Sequence, residues 1–483
     1  PPPPPPTRHP RLGRWSRGLG EVYKRQLLTR EGAVFNATYI EQSVEAATLA
    51  ASSHGFAFVR IRPRADRDPV GRLINLTYVI DQGPRVYIER IDIVGNVRTK
   101  DKVIRREFRL VEGDAYNPLL VDRAEKRIKQ LGFFKDVKVQ RQPGSAEDRV
   151  VIVVNITEQP TGELSFGAGY STSEGIIGDV SITERNLMGN GQFLRLKLGG
   201  SAERLQVDLS FTEPRFLDKN IAAGFDVFHK ELDLTSSSSY KTRRTGFVPR
   251  IGFPLSEDLW MSVNYTISRD EIYDVLPGAS LAVQNAVGTA LTSSVGLGLR
   301  YDTRNHPRNP NKGIYLSADA DFAGLGGDVQ YVRVQGEGRA YYPIFEKVTL
   351  VGRVVAGHIE GWGGEDVRLL DVFYRGGETV RGFDKAGFGP RDLGTGDALG
   401  GKSYWAANAE VRFPLPFLSE SLGMNGAVFA DAGSLFNAAE GANVVANLAD
   451  DSAVRASVGA SIIWDSPLGP LRFDYAFPLA KQD

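Results

Sequence analysis

The feature that most limits how this chain folds is an alternation of apolar and polar residues, which begins near Gly162 and continues almost to the last of its 483 residues. In one segment Leu297 and Leu299 alternate with Arg300 and Asp302. A period of two places successive side chains on opposite faces of a β-strand, so one face is wet and the other meets a core or lipid. The alternation therefore predicts an all-β domain.

Counting such segments predicts fifteen strands. They cover approximately residues 162–172, 174–186, 192–203, 204–216, 221–233, 240–255, 259–273, 290–304, 313–324, 329–344, 348–362, 403–416, 424–437, 453–467 and 469–480. Many are longer than the ~5–6 residues typical of soluble strands and could cross a bilayer when tilted. The three longest connections all follow odd-numbered strands: 274–289, 363–402 and 438–452.

Short turns on one side and long loops on the other are typical of a transmembrane antiparallel β-barrel. A soluble sandwich, the alternative, would bury the apolar faces of two sheets against each other. In a barrel the apolar side chains face lipid and the charged ones face the lumen. We therefore expect one set to face outward and the other inward: Leu297, Leu299, Phe473 and Tyr475 outward, and Arg300, Asp302, Arg472 and Asp474 inward.

Composition excludes several classes of site. No run approaches 18 apolar residues, which excludes a helical membrane span. Lys+Arg and Asp+Glu are both 58, so charge balance gives no reason to expect a nucleic-acid partner. Cysteine is absent, which excludes disulfides and thiolate metal sites, and none of the five histidines pairs with another at metal-ligand spacing. We expect no cofactor and no metal.

The part of the chain before the barrel contains an internal repeat. Gly55 and Gly132 each open an aromatic strand pattern, and they are separated by 77 residues, as are Gln82 and Gln159. A helical pattern precedes each glycine. The second copy runs strand, helix, helix, strand, strand, whereas the first copy lacks the opening strand.

This order resembles the POTRA (polypeptide-transport-associated) module, as do Gly132-Phe133-Phe134-Lys135-Asp136-Val137 and Val94-Gly95-Asn96. The alternative is a generic α+β repeat. The resemblance implies periplasmic modules that hold unfolded chains and partner proteins at exposed strand edges. We expect four regions: 1–26, a disordered or non-native extension that begins with six prolines; 27–84, a partial POTRA module; 85–160, a complete module; and 161–483, the barrel.

The most specific motif is Val380-Arg381-Gly382-Phe383, in the longest loop. Four residues alone are a weak signal, but their place after two POTRA-like modules and eleven barrel-like strands makes them strong. The chain resembles the BamA family of outer-membrane protein assembly factors, within the POTRA-barrel insertase superfamily. The resemblance implies that this loop folds into the lumen and that Arg381 pairs with acidic groups on the inner wall.

Glu410 and Asp431 are the candidate partners of Arg381. Alternation puts Glu410 on the polar face of its strand, but Phe429 would share the face of Asp431, so the pattern there is less clear. A guanidinium in a partly dehydrated lumen should bind carboxylates in a bidentate manner, which lysine could not reproduce. The alternative is that all three are ordinary lumen charges solvated by water.

The resemblance implies a function without covalent chemistry, namely the folding and insertion of β-barrel proteins into the bacterial outer membrane. Its implied partners are unfolded outer-membrane barrel proteins, periplasmic chaperones, assembly-complex lipoproteins and outer-membrane lipid, with no nucleic acid. Alternatives are a two-partner secretion transporter and a TamA-type autotransporter-assembly insertase. An outer-membrane lipase has little support, because His229, His306 and His358 lie in no catalytic motif.

The strand count carries a further expectation. First and last strands of a closed antiparallel barrel are antiparallel neighbours only when the count is even, and we count fifteen. The family has sixteen. We expect that the chain stops one strand short, so that 162–172 and 469–480 each lack a partner on one side and the activity belongs to the complete protein.

Overall fold

The computed structural model describes residues 7–8, 27–30, 32, 35–53, 59–68, 71, 73–81, 86–171, 175–307, 309–415, 422–466 and 469–480. It divides into two compact units, which comprise 1–161 with 185–191 and 162–184 with 192–483. Apart from Thr7 and Arg8, the extension predicted at 1–26 lies outside the described residues, as do Gly55 and Gln82 of the repeat.

The first module of the N-terminal unit is a small sheet with one helix. Its elements are β1 (Thr7–Arg8), α1 (Ala37–Ser53), β2 (Arg60–Asp68) and β3 (Leu73–Asp81). The strand order is β1-β3-β2, with β1 parallel and β2 antiparallel to β3. Ile40 and Ala47 of α1 pack on Ile61, Leu76 and Tyr78 of the sheet.

The second module has the order that its sequence pattern predicted. Its elements are β4 (Tyr87–Val94), α2 (Asp101–Arg105), α3 (Pro118–Gln130), β5 (Phe134–Pro143) and β6 (Arg149–Glu158). The strand order is β4-β6-β5, with β4 parallel to β6. Asn117 caps α3 by accepting the backbone N–H of Leu119 at 3.0 Å, and Pro118 suits the first helical position. The buried face of α3 consists of Val121, Ala124 and Ile128, at helical spacing.

Glu158 ends β6 and holds the loop that precedes α2. Its carboxylate accepts the backbone N–H of Arg98 at 2.9 Å and of Thr99 at 2.7 Å. Burial alone would raise the pKa of Glu158, but the hydrogen bonds favour the ionised form, and the pKa lies below its ordinary value. A lowered pKa in the folded state stabilises the fold above the unfolded-state pKa, and this stabilisation is lost as the pH falls through the folded-state value.

We therefore expect Glu158→Gln to speed hydrogen exchange of the Arg98 and Thr99 amides at neutral pH, because a neutral amide oxygen is a weaker acceptor. Acidification should speed hydrogen exchange of the same amides in the parent protein but not in the variant, after correction for intrinsic exchange rates. Glu112→Gln is the matched control, since Glu112 accepts the Ile91 N–H in the same module. Equal exchange at Arg98 and Thr99 in both variants would contradict the assignment.

The C-terminal unit contains one antiparallel sheet of fifteen strands. They are β7 (Gly162–Ser171), β8 (Gly175–Leu187), β9 (Gln192–Gly200), β10 (Arg204–Glu213), β11 (Ala222–Asp233), β12 (Lys241–Pro254), β13 (Leu259–Tyr273), β14 (Gly288–Asp302), β15 (Gly313–Ala323), β16 (Tyr331–Phe345), β17 (Val348–Gly361), β19 (Ser403–Pro414), β20 (Met424–Phe436), β22 (Arg455–Ser466) and β23 (Gly469–Ala480). Two short strands, β18 (Arg391–Asp392) and β21 (Leu448–Ala449), pair with each other in the loops. The loops also hold α4 (Thr235–Ser238), α5 (Leu281–Asn285) and the 3₁₀ turns Phe216–Asp218 and Glu440–Val444.

The fifteen strands pair in chain order, which confirms the predicted all-antiparallel arrangement. β7 and β23 are the two ends of the sheet, and no ladder between them occurs among the described residues. No helix in the described part of the chain is long and apolar enough to cross a membrane.

The two faces of the sheet differ as the alternation predicted. Phe473 and Tyr475 are 62% and 70% exposed on one face, and Leu297 is exposed on the same face. On the other face Arg300 Nη2 lies 2.7 Å from Asp319, and Arg472 Nε lies 2.9 Å from Asp474. The apolar side chains therefore do not pack against a second sheet.

Two ion pairs of the longest loop show that the sheet is rolled up. Arg381 lies 3.7 Å from Asp474 of β23, and Lys385 lies 3.0 Å from Glu203, between β9 and β10. In a flat sheet β23 and β10 would lie about 50 Å apart at ~4.8 Å per strand. Four residues of chain span at most about 14 Å. The sheet therefore wraps around the loop as a barrel, with its charged face inside.

Candidate functional site

The loop between β17 and β19 fills the inside of the rolled sheet and is held there by buried polar contacts. Near its start, Arg368 pairs with Asp371 at 2.7 Å and with Asp270 of β13 at 3.2 Å. Further along, Asp397 accepts the Ser280 N–H at 2.7 Å, and the Tyr374 hydroxyl lies 3.0 Å from that of Tyr240. Buried polar groups are costly unless paired, so these contacts fix one loop position.

The predicted motif lies at the centre of this loop. Val380 is fully buried, and its neighbour Gly382 has a φ of +91°. A Cβ on Gly382 would lie 3.0 Å from the Ala476 Cβ of β23, so both the backbone angle and the close approach require glycine. Phe383 packs edge-on against Phe388 at a ring distance of 5.6 Å. The motif therefore forms a tight turn against β23 in the wall of the barrel.

The structure brings Arg381 together with both candidate acids. Its Nε and Nη2 each donate to Asp431 at 2.6 Å, one bond to each carboxylate oxygen, and its backbone N–H donates to the same carboxylate at 3.1 Å. Its Nη1 donates to Glu410 at 2.8 Å. The side chains of Arg381, Glu410 and Asp431 are only 18%, 7% and 0% exposed. Such a bidentate buried pair suits arginine and not lysine.

The aromatic ring of Phe429 lies beneath the Arg381 side chain. The Arg381 guanidinium lies over the Phe429 ring at 3.4 Å from its centroid. The alternation of β20 looked unclear because an apolar residue shares the inward face of Asp431. The structure explains this, because the ring faces inward to stack on a cation.

Glu410 has three arginine partners rather than one. Besides Arg381, it accepts hydrogen bonds from Arg412 at 2.7 Å and from Arg472 at 2.6 Å. Arg472 also pairs with Asp474. We call these six residues the Arg381 cluster: Arg381, Arg412, Arg472, Glu410, Asp431 and Asp474. Sequence reasoning placed Arg472 and Asp474 on the inner face but did not assign them to the site.

A polar cavity of about 500 Å³ adjoins the Arg381 cluster on the inside of the sheet. Its lining also includes Arg339, Arg353 and Glu378. Among the described residues, no three or more histidine or acidic side chains are grouped to hold a metal ion. The Arg381 cluster therefore holds the loop between β17 and β19 in position.

We expect Phe429→Leu to lower the temperature at which the folded band is lost on a semi-native gel, because a desolvated cation–π contact contributes about 2 kcal/mol. Phe228→Leu is the matched control. Lys230 and Arg244 lie over the Phe228 ring at the looser distances of 5.3 and 6.0 Å. If the temperature at which the folded band is lost fell equally in the two variants, packing and not the stacked cation would account for the effect.

Two family models match the chain. A model of the Omp85 superfamily domain matches residues 186–483. The POTRA model, described as a surface antigen variable number repeat, matches residues 17–83 and 86–159.

Individual relatives agree with these matches. The outer membrane protein assembly factor BamA of Neorickettsia risticii (strain Illinois) is 33% identical over 95% of this chain and 61% of that protein. The sorting and assembly machinery component 50 homolog B of Xenopus laevis is 27% identical over 82% of this chain and 87% of that protein. The crystal structure of BamA from Haemophilus ducreyi lacking POTRA domains 1–3 has a TM-score of 0.78 at 25% identity, covering 99% of this chain and 97% of that one. The chain spans 53% to 61% of the length of the first curated relatives it matches.

Proposed function

The chain belongs to the Omp85 superfamily, and we propose that its full-length protein folds β-barrel proteins and inserts them into the outer membrane without covalent chemistry. Its barrel lies in the outer membrane and its POTRA modules lie in the periplasm. Curated relatives named as outer membrane protein assembly factors support the proposal.

The observation that carries the proposal is the position of Arg381. It ties the lumen loop to β19 and β20 through Glu410 and Asp431, and approaches β23 at Asp474. The loop therefore supports the wall from inside. The motif Val380-Arg381-Gly382-Phe383, with its partners Glu410 and Asp431, is on this proposal the element that holds the barrel in its working shape.

β7 supplies the edge at which a substrate strand would add. Gly162, Gly167 and Gly169 occupy three of its ten positions, which weakens the pairing of a strand. Its backbone N–H and C=O groups pair with β8 on one side. An extended segment can pair with a free edge through main-chain hydrogen bonds. In the complete protein this edge would meet the expected sixteenth strand, and weak pairing between the two would let a substrate strand add.

The proposed partners follow from this role. They are unfolded outer-membrane barrel proteins as substrates, periplasmic chaperones and assembly-complex lipoproteins at the POTRA modules, and the lipid around the barrel. β5, at the edge of the sheet in the second module, provides a site for an extended chain.

Reconstitution of the full-length protein in lipid vesicles tests the proposal. Diluting a urea-unfolded outer-membrane barrel protein into these vesicles should give faster appearance of its heat-resistant folded band than empty vesicles do. A two-partner secretion transporter would instead move one soluble partner across the bilayer and leave the barrel substrate unfolded. A TamA-type insertase would accelerate an autotransporter only. Either result would overturn the assignment.

A further inference from the structure

The first module carries a row of arginines on one face of its sheet. Arg60, Arg62 and Arg64 occupy alternate positions of β2, and their side chains are exposed. Ile61, which lies between two of them, is buried in the cluster that packs against α1. Because the side chains of a strand alternate between its faces, the arginines lie on the face that points away from the helix. We call these three residues the arginine row.

The arginine row carries positive charge that the module does not neutralise. On the neighbouring strand β3, two of the three ladder partners of the row are the uncharged residues Val79 and Thr77. The third partner is Asp81, opposite Arg60. Among the described residues, however, none of the three guanidinium groups forms an ion pair or a hydrogen bond. The row can therefore accept carboxylates from outside the module.

The same face of β2 continues with acidic residues. Asp66 and Asp68 follow the row at the next two alternate positions, and both are exposed. The signs along this line are therefore three positive charges followed by two negative ones. The line is about 26 Å long at ~3.3 Å per residue. Because opposite charges that face each other attract and like charges repel, the order of signs fixes the direction and register of a linear partner.

Strand addition at the edge of β2 does not account for the arginine row. β2 is an outer strand of its sheet, and Pro63 lies within it. Proline has no N–H to donate, and in a sheet it is confined to edge strands, with its nitrogen towards solvent. Pro63 therefore interrupts the outer edge, so a continuous ladder with another chain cannot form there. Recognition at this surface has to use the side chains of the exposed face.

A lipid surface does not fit the arginine row either. Polybasic segments that hold anionic lipid use clusters of about four to eight Lys and Arg residues. The row has three, and Asp66, Asp68 and Asp81 on the same face would repel phosphate groups. An extended peptide fits better, because every second side chain points to one side, at the ~6.6 Å spacing of the arginines. Its carboxylates could each bind one guanidinium in a bidentate manner.

We propose that the arginine row binds an extended acidic segment of a periplasmic partner protein. The segment has Asp or Glu at three alternate positions and Lys or Arg at the next two, so that each charge faces its opposite on β2. A single exposed ion pair contributes little to affinity. Docking is therefore weak and reversible, and it depends on several pairs forming together. The proposal concerns the first module alone and does not rest on the insertase assignment.

Binding of labelled peptides to the full-length protein in an uncharged detergent tests this, measured by fluorescence anisotropy at low salt. In the first peptide three glutamates alternate with threonines, and two lysines then continue the alternation. The second peptide has the same composition with its glutamates consecutive, so that they cannot all point to one side. The parent protein should bind the alternating peptide about fivefold more tightly, the change expected when about one exposed ion pair is lost.

Substitutions in β2 test the register. Arg62→Gln should weaken binding of the alternating peptide about fivefold. Arg67→Gln is the matched control, because it removes one positive charge from the same strand but on the face opposite to the arginine row. Arg62→Glu should reject the alternating peptide and bind instead a peptide whose middle glutamate is replaced by lysine. The melting temperature verifies that each variant folds like the parent protein.

Equal affinity of the parent protein for the first two peptides would overturn the proposal, and would identify a surface that attracts any anion, lipid head groups included. Equal losses in Arg62→Gln and Arg67→Gln would also overturn it, since net charge alone would then explain binding. So would failure of the exchanged peptide to recover affinity for Arg62→Glu. None of these outcomes affects the folding assay in vesicles, so this inference and the insertase assignment fail separately.

Discussion

Replacing Arg381 with alanine is expected to abolish most of the barrel's resistance to heat and to slow substrate folding in vesicles more than any other single change in the loop. The substitution leaves Asp431 fully buried and Glu410 nearly so, and both lose a donor. Breaking a buried ion pair by removing one partner costs about 3–5 kcal/mol. The readouts are the temperature at which the folded gel band disappears and the rate of substrate folding.

Arg375 provides the control within the same loop. It stacks on Tyr404 at 3.8 Å and donates to the Tyr374 carbonyl, but in the described part of the chain it pairs with no carboxylate. Arg375→Ala should therefore have a much smaller effect. Arg381→Lys should fall between the two, because an ammonium keeps the charge but cannot donate in parallel to both Asp431 oxygens. Equal losses for the two alanine variants would show that Arg381 has no special role.

The sheet was predictable from sequence because a period of two maps directly onto the two faces of a strand. Leu297 and Arg300 fall on opposite faces for that reason alone. The fifteen strands and their antiparallel order follow in the same way. The ends of strands were less predictable, because they depend on the turns that follow. The strand expected at 204–216 ends at Glu213, and a 3₁₀ turn begins at Phe216.

The connections inside the Arg381 cluster were not predictable from alternation. Glu410 and Arg472 lie on strands three ladder steps apart, about 14 Å in a flat sheet. They meet at 2.6 Å because the wall curves and an arginine is long. Alternation assigns a face, but it contains no information about curvature or register across several strands.

Removing the charge of Glu410 should have the second-largest effect. Glu410→Gln keeps the shape of the side chain but leaves Arg381, Arg412 and Arg472 around a neutral amide. The six residues of the Arg381 cluster carry three positive and three negative charges. The variant therefore leaves one positive charge without a balancing negative charge. We expect a loss of about 3–5 kcal/mol in barrel stability, measured by the melting of the folded gel band. Glu337→Gln is the control, because Glu337 also binds two arginines, Arg339 and Arg353, but forms no hydrogen bond or ion pair with the loop in the described structure.

A second substitution separates charge balance from lost hydrogen bonds. In the described structure Arg412 pairs with Glu410 alone, whereas Arg381 keeps Asp431 and Arg472 keeps Asp474. The double variant Glu410→Gln/Arg412→Gln therefore restores an equal number of charges while removing still more hydrogen bonds. If charge balance in the lumen controls the loop, the double variant should be more stable than Glu410→Gln, a coupling that a double-mutant cycle measures. A double variant that is less stable than either single one would show instead that the hydrogen bonds of Glu410 hold the loop.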